Sequence, residues 1–524
     1  MFKIEDKYKY QGSGKQIIVE NPCTGQVIDK VNTFTEEEAK TAIERAKNAQ
    51  KKWGKLGIEN RIKALRKVQH LLANDAEELC ELIATENGKP FQEAMQTEIV
   101  PTLTLSSYFL RRGKKILADK RIPLHLFKYR RSFINYRPRG IVLIISPWNY
   151  PFSIPNGTVI MSLIAGNAVV HKPASLTPLI ALKTKEIFDK AGIDPDLYQV
   201  IPSSGPLGSK MIEMGVDYVN FTGSTDVGLK VSEICSRLLI PCSMELGGKD
   251  AAIICEDADI DKAAASVVFG ALTNSGQTCA SVERVYAHKF VYDKIVENVV
   301  DRVKKFRVGN PLNGNTDMGP IVDIRQLEII EKQVDDAVKQ GAKILVGGKR
   351  VKGDGQFFEP TVMVDVTEDM SIIAQETFGP VIPIMKVESN DEAIQKANNS
   401  IYGLCASVFT TNPEKGRQIA KRLEAGTVLI NEVLITFAMP ETPWQGVKMS
   451  GTGKTHSDDG LRNLCYPYHI NEEGVIKLKK SLFWQPYSKK MYKLLISSAK
   501  ILYGKNKLKY LPDNLKIMFS KSEN

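Results

Sequence analysis

Along most of its 524 residues the chain alternates amphipathic stretches with short apolar runs. Residues 35–53 open with a threonine and three glutamates and then set Ala39, Ala42, Ile43, Ala46 and Trp53 near helical spacing, and residues 61–87 continue in the same style. Apolar positions three and four apart predict helices with one buried face, and the threonine followed by acids marks a helix start. Four apolar runs of strand length follow, at 140–145 (GIVLII), 168–171, 198–201 and 218–221, with helical segments such as 178–191 between them. Runs that are apolar throughout are buried on both faces, and strands separated by helices pair in parallel through crossovers. The pattern predicts an α/β fold built on a doubly wound parallel sheet.

A second α/β series spans 251–431, with strand-like runs at 251–255, 343–346, 381–387 and 406–410. Residues 128–136 (KYRRSFINY) are polar yet β-prone, and predict a projecting hairpin that serves an oligomer interface. With 43% hydrophobic, 25% charged and 8% aromatic residues, the composition is that of a folded protein. Residues 1–14 carry charges throughout without an apolar leader, and no run reaches the roughly 18 apolar residues of a membrane span. The eight cysteines form no CxxC pair and have no histidine at ligand spacing. A cytoplasmic, reducing environment and no metal are the expectation.

Charge changes the picture only at one end. The net charge is +11, but residues 475–524 hold twelve lysines, no arginine and two acids, leaving 59 basic against 58 acidic residues before them. Between 487 and 503, Tyr487, Met491, Leu494, Leu495 and Leu502 alternate with Lys489, Lys490, Lys493 and Lys500. Leu508, Leu511, Leu515, Ile517 and Phe519 continue the apolar series beyond Gly504 and Pro512. This predicts a basic amphipathic helical tail, and two expectations stand side by side: it lies on an anionic membrane surface, or it packs on the enzyme or a neighbouring subunit. A tail with lysine alone lacks the arginines and stacking aromatics of nucleic-acid readers, so no nucleic-acid partner is expected.

Several apolar runs end in short turns that carry chemistry. Residues 146–152 (SPWNYPF) set the Asn149 amide beside Trp148, and 221–228 (FTGSTDVG) place Gly223 and Ser224 at a strand-to-helix turn where a phosphate can meet backbone N–H groups. Residues 244–250 (MELGGKD) put Glu245 before two glycines, 275–281 (SGQTCAS) surround Cys279 with small residues, and 376–381 (ETFGPV) form a further Gly-Pro turn. Singly these are ordinary: a turn asparagine, a helix cap, a solvated acid, a small core cysteine.

Jointly and in this order, with 166–173 (GNAVVHKP) and 443–453 (PWQGVKMSGTG), they resemble the aldehyde dehydrogenase superfamily from about residue 15 to 470. The resemblance implies two doubly wound Rossmann-like domains, one binding NAD or NADP (1–120 and 138–246) and one catalytic (247–430). A small β oligomerisation element (121–137 and 431–474) and the tail (475–524) complete it, and a homodimer or homotetramer is implied. Cys279 matches the nucleophile. The Asn149 amide and the Cys279 N–H match the oxyanion hole, and Glu245 matches the residue that activates water. Relatives that pass the acyl group to coenzyme A generally lack that carboxylate, so a free acid is the implied product.

For the cofactor, the resemblance assigns Gly223, Ser224 and the helix they open to the pyrophosphate, Lys172 to the adenosine ribose and Glu376 to the nicotinamide ribose, with Trp148 and Phe378 as apolar walls. Ser175 stands where strictly NAD-dependent relatives often have a glutamate that repels a 2′-phosphate, so NADP is admitted. Residues 150–163 contain no Arg or Lys, Gly157 stands where many relatives carry a bulky aromatic, which implies a roomier, apolar tunnel, and Leu434, Ile435, Phe437 and Met439 are apolar candidates for its mouth. These features favour an apolar aldehyde, whether medium- or long-chain aliphatic, aromatic or isoprenoid, over the alternative, succinate semialdehyde. A catalytically silent protein of the same fold would have no use for Cys279, Glu245 and Asn149 together.

Overall fold

The computed structural model describes residues 3–475, 484–505 and 507–519. They fall into two compact units, Met1–Ala118 with Tyr136–Pro467, and Asp119–Asn135 with Tyr468–Asn524.

The first unit holds two large sheets. The six-stranded one has the order Gly451–Thr452, Cys242–Glu245, Tyr218–Thr222, Ile141–Ile145, Ala168–Lys172, Tyr198–Val200. Its five longer strands run parallel, and Gly451–Thr452 closes one edge in the antiparallel sense. Ile141–Ile145 pairs with the strand that follows it on one side and with Tyr218–Thr222 on the other, so chain order reverses there. The crevice outside the carboxyl ends of strands at such a reversal is where open α/β sheets bind ligands.

The seven-stranded sheet runs Lys343–Val346, Thr361–Val364, Val381–Val387, Val282–His288, Asp250–Ile254, Cys405–Phe409, Thr427–Ile430, parallel except for its first pair. Its order reverses at Asp250–Ile254, between Val282–His288 and Cys405–Phe409. The apolar runs read from the sequence supply strands in both sheets. Of those not read, Val282–His288 is buried throughout although Glu283 and Arg284 interrupt its apolar pattern.

Local chemistry sets the helix ends. Thr35 caps Glu36–Lys55 in a reciprocal box: the Glu38 N–H donates to Thr35 Oγ1 at 3.3 Å and the Thr35 N–H to the Glu38 carboxylate at 2.8 Å. The 61–87 stretch becomes two helices, Ile58–Asn74 and Ala76–Glu86, broken at Asp75.

The segment 431–474, grouped by the sequence reading with the projecting hairpin, is divided. Gly451–Thr452 joins the six-stranded sheet, and Leu461, Leu464 and Cys465 enter the core around it. Only Cys465–Glu473 joins the projecting hairpin, neighbouring Arg130–Pro138, whose other side pairs antiparallel with Lys120–Ile122. The second unit also contains the tail helices Lys489–Tyr503 and Leu511–Phe519. Lysines 477, 479, 480 and 521 of the tail lie outside the described residues.

Candidate active site

Asn149 is carried on the turn after Ile141–Ile145, at the chain reversal, and is buried. Its Nδ2 donates to the Gln277 carbonyl at 2.9 Å, while its own carbonyl accepts from Lys89 Nζ at 3.0 Å and from Asn274 Nδ2 at 2.9 Å. An amide nitrogen has two hydrogens, so this arrangement fixes the side chain and leaves one N–H to aim.

Lys89 is itself buried against Glu98 (2.7 Å), and Glu98 accepts from the Phe152 and Ser153 N–H groups where the helix Ser153–Ala165 begins. Glu98 reaches inward from a π-helical turn, Met95–Ile99, a local widening that recurs at functional sites. Sequence reasoning passed over Lys89 and Glu98 because charged residues in a helical pattern read as a solvated face.

Cys279 follows a run of left-handed backbone, with φ near +54° at Asn274, +55° at Ser275 and +73° at Gly276. Non-glycine residues adopt this region at a cost, and it clusters at functional sites. The turn is held by Gln277, whose Nε2 donates to the Asn274 carbonyl and whose Oε1 accepts the Val322 N–H, both at 2.9 Å. Burial, then the carboxylates of Asp250, Glu245 and Glu376, push the Cys279 thiol up and keep the resting sulfur protonated.

Glu245 ends the strand Cys242–Glu245, pinned by the pairing of Gly451 with it and by the Leu246 N–H on the Ser450 carbonyl at 2.9 Å. Both carboxylate oxygens are buried without a hydrogen bond of normal geometry among the described residues. Burial raises its carboxyl well above the usual carboxylate range, against a smaller pull from the Trp444 indole.

The two glycines after Glu245 act by close approach. A Cβ at Gly247 would sit 2.5 Å from Glu376 Oε2, and one at Gly248 would sit 2.2 Å from the Cys279 carbonyl. Neither has positive φ, so close approach and not backbone conformation is the reason for glycine at both positions. The Gly248 N–H donates to Glu376 Oε1 at 2.9 Å, and burial, then Glu283, push the Glu376 carboxyl up to about 8.

Glu283 is a second unread residue. It accepts from the Thr377 and Phe378 N–H groups at 2.7 and 2.9 Å and pairs with buried Lys249 at 2.5 Å, fixing the turn that carries Glu376 and Phe378.

Cys279 lies where two cavities meet. One, of about 740 Å³, is lined by Trp148, Asn149, Gly223, Ser224, Glu376 and Phe378 among others. Trp148 and Phe378 meet edge to face in its wall, ring centroids 5.5 Å apart. The helix Thr225–Arg237 begins in the same lining. Ser224 occupies the cap position but its hydroxyl makes no capping bond, leaving the first N–H groups of the helix for an anion. A helix start, an aromatic pair and a buried carboxyl lining one cavity fit a dinucleotide. Lys172 and Ser175 do not line this cavity. Lys172 ends the strand Ala168–Lys172, packed at Gly208, and burial lowers its ammonium to about 8, while Ser175 Oγ donates to the Ser203 carbonyl at 3.2 Å.

The other cavity, of about 260 Å³, is walled by Pro101, Tyr150, Ile154, Phe269, Val433, Leu434, Ile435, Phe437, Ala438 and Trp444 with Gln96, Thr97, Thr273, Thr278, Ala280 and Glu432. Its walls hold no lysine or arginine. Of the apolar residues expected at its mouth, Leu434, Ile435 and Phe437 line it and Met439 does not. Gly157 does not line it either: a Cβ there would point at Leu105, 3.3 Å away, so this glycine lets two helices approach instead of widening the tunnel.

A model of the aldehyde dehydrogenase family matches residues 9–470. A putative succinate-semialdehyde dehydrogenase [NADP(+)] of Mycolicibacterium smegmatis is 36% identical over 466 residues, covering 88% of this chain and 90% of that protein. A 4,4′-diapolycopene aldehyde oxidase of Methylomonas sp. is 32% identical over 490 residues, covering 93% and 91%. The NAD+ complex of an aldehyde dehydrogenase from Bacillus cereus superposes with a TM-score of 0.85 at 32% identity, covering 89% of this chain and 94% of that one. With the matched family spanning both sheets, the cysteine turn and the two cavities, the chain belongs to the aldehyde dehydrogenase family.

Proposed function

We propose that this enzyme oxidises apolar aldehydes to free carboxylic acids with NAD or NADP. Its specificity rests on the 260 Å³ cavity that ends at Cys279, whose walls are apolar, contain no cation and include the Glu432 carboxylate. A substrate with a distal carboxylate would be desolvated there without a partner and beside a like charge, which disfavours it strongly. The names of relatives such as the one from Mycolicibacterium smegmatis support the second reading, succinate semialdehyde.

The roles that the family resemblance implies for these residues complete the proposal. Cys279 releases its thiol proton to solvent and adds to the aldehyde carbonyl as the thiolate, and the free N–H of Asn149 with the Cys279 backbone N–H binds the oxyanion. NAD or NADP, when held in the larger cavity, would supply the acceptor for the hydride released as that oxyanion collapses. The thioester left on Cys279 is cleaved by water, whose proton goes to Glu245, a buried carboxyl with the raised proton affinity suited to a base. Glu376, oriented by the Gly248 N–H, would hold the nicotinamide ribose, and Gly223, Ser224 and the helix start would hold the pyrophosphate. Lys172 would bond the adenosine ribose from outside the lining of the larger cavity. Ser175 presents no carboxylate to a 2′-phosphate, which admits NADP.

The three-stranded sheet mediates a homodimer or homotetramer, and the basic tail sets the enzyme on an anionic membrane surface in the cytoplasm, where such aldehydes partition. No helix among the described residues is long and apolar enough to cross a membrane. Initial rates of NADH and NADPH formation across saturated aldehydes of increasing length, with succinate semialdehyde alongside, test the proposal. kcat/KM that climbs with chain length supports it, and a preference for succinate semialdehyde overturns it.

A further inference from the structure

The tail helix Lys489–Tyr503 has two apolar faces. Ser488 caps it, accepting the Met491 N–H at 3.1 Å. One face is turned to Leu511–Phe519: Asn514 Nδ2 donates to Ser497 Oγ at 2.7 Å and to Ser498 Oγ at 3.0 Å, and the half-buried Met491, Leu494 and Ile501 fall on the same side of the helix by spacing. Buried Asn and Ser groups bonded to each other fix one pairing of the two helices, so the seam is a specified contact.

The second face, Tyr492, Leu495, Ile496, Ala499, Leu502 and Tyr503, falls at i, i+3, i+4, i+7, i+10 and i+11, and every member is exposed, Tyr492 by 67% and Tyr503 by 70%. Lys489, Lys493 and Lys500 lie along one flank of it by the same spacing. Met491 and Leu494, the residues that the sequence pattern offered for an outward face, are thus on the side turned to the partner helix.

We infer that the stripe from Tyr492 to Tyr503 is the face that docks on an anionic lipid bilayer, with the helix lying in the interfacial plane. This deepens the reading of the tail given above and rests on it. The occupant is argued from charge and side-chain type. Residues 475–524 carry twelve lysines against two acids, which matches an anionic surface. The stripe is bounded by tyrosines, whose apolar ring and polar tip suit the headgroup level, and the flanking lysines are long enough to bury their stems and keep their charge in the headgroups. A bilayer accepts the apolar residues without requiring the shape complement that a protein partner would need.

The test uses the full-length enzyme, sedimented with phosphatidylcholine vesicles containing phosphatidylserine and with phosphatidylcholine vesicles alone. A stripe variant (L495S, I496S, L502S, Y503S) leaves the seam intact, and unchanged turnover of a short soluble aldehyde shows that the catalytic unit is folded. The expected result is at least a tenfold loss of partitioning onto the anionic vesicles in the stripe variant. The lysine variant (K489Q, K493Q, K500Q) should lose a comparable factor, and wild-type binding should fall in about 1 M salt, where charges are screened beyond about 3 Å.

Wild-type partitioning by the stripe variant overturns the assignment of the face while leaving the membrane reading standing. No binding of the wild type to either vesicle overturns both, without bearing on aldehyde selectivity measured in vesicle-free buffer. A stripe variant that sediments as a smaller assembly while the wild type ignores vesicles overturns the inference in favour of a second copy of this chain.

Discussion

At the scale of single residues, the carboxyls beside Cys279 are set to hold protons that exposed carboxylates release. If Glu245 is the base proposed above it must be ionised to accept a proton from water, and its raised proton affinity then makes thioester cleavage accelerate as pH rises through its folded-state pKa. Glu245→Gln should flatten that limb of the pH profile and slow turnover by at least about a hundredfold. It should also leave an acylated enzyme that intact mass spectrometry detects after one turnover; absence of the adduct would place water activation elsewhere.

Glu376 makes an opposite kind of statement about stability. Its carboxyl titrates at about 8 when folded and near 4.5 when unfolded, so between those values the folded state binds the extra proton. Its contribution to stability is therefore present below about pH 4.5 and lost as pH rises through about 8. In Glu376→Gln the melting temperature should fall less steeply between about pH 5 and about pH 9 than in the wild type, and parallel curves would contradict the shift.

At the scale of elements, the turns bearing the chemistry are positioned by charged pairs that the sequence conceals. Glu98 ties the Met95–Ile99 turn to the start of Ser153–Ala165 and, through Lys89, to the Asn149 carbonyl. Glu98→Gln leaves a buried ammonium without its counterion and should destabilise the protein by about 3–5 kcal/mol, read by denaturant unfolding. Glu283→Gln replaces one of the two oxygens that order Thr377 and Phe378 with an amide donor and strips Lys249 of its counterion, and should raise the KM for the dinucleotide about tenfold or more while sparing iodoacetamide labelling of Cys279.

The apolar runs and loaded turns were legible because burial on both faces and glycine at close approaches leave marks in composition. Lys89, Glu98, Lys249 and Glu283 were not, because an ion pair formed by residues distant in sequence looks in either segment like solvated charge. The strand Val282–His288 went unread for the same reason, and Gly157 was misread because the direction of its absent Cβ is a property of the helix pair.

At the scale of the whole molecule, both sheets reverse chain order beside the site, so strand ends of one and loops of the other converge on Cys279. The α/β alternation foretold two sheets. It did not foretell that residues 451–452 would close the edge of the first, since a two-residue strand carries no periodicity. Removing residues 484–524 deletes both tail helices and no residue of either cavity. The truncated enzyme should keep kcat/KM for short aldehydes within about twofold, while its rate on long-chain aldehydes supplied in anionic vesicles drops. Equal vesicle rates would detach the tail from substrate delivery.

Cys279 borders both cavities, and apart from it they share no lining residue. The sulfur is a party wall with a separate door on each side. On the proposed assignment, an inert apolar ligand lodged in the smaller chamber closes the aldehyde's route and leaves the dinucleotide's open, so it should inhibit competitively against the aldehyde and not against the dinucleotide in initial-rate measurements. Natural variation at 433–438 is likewise free to retune which aldehydes are taken while the grip on the redox partner stays as it is.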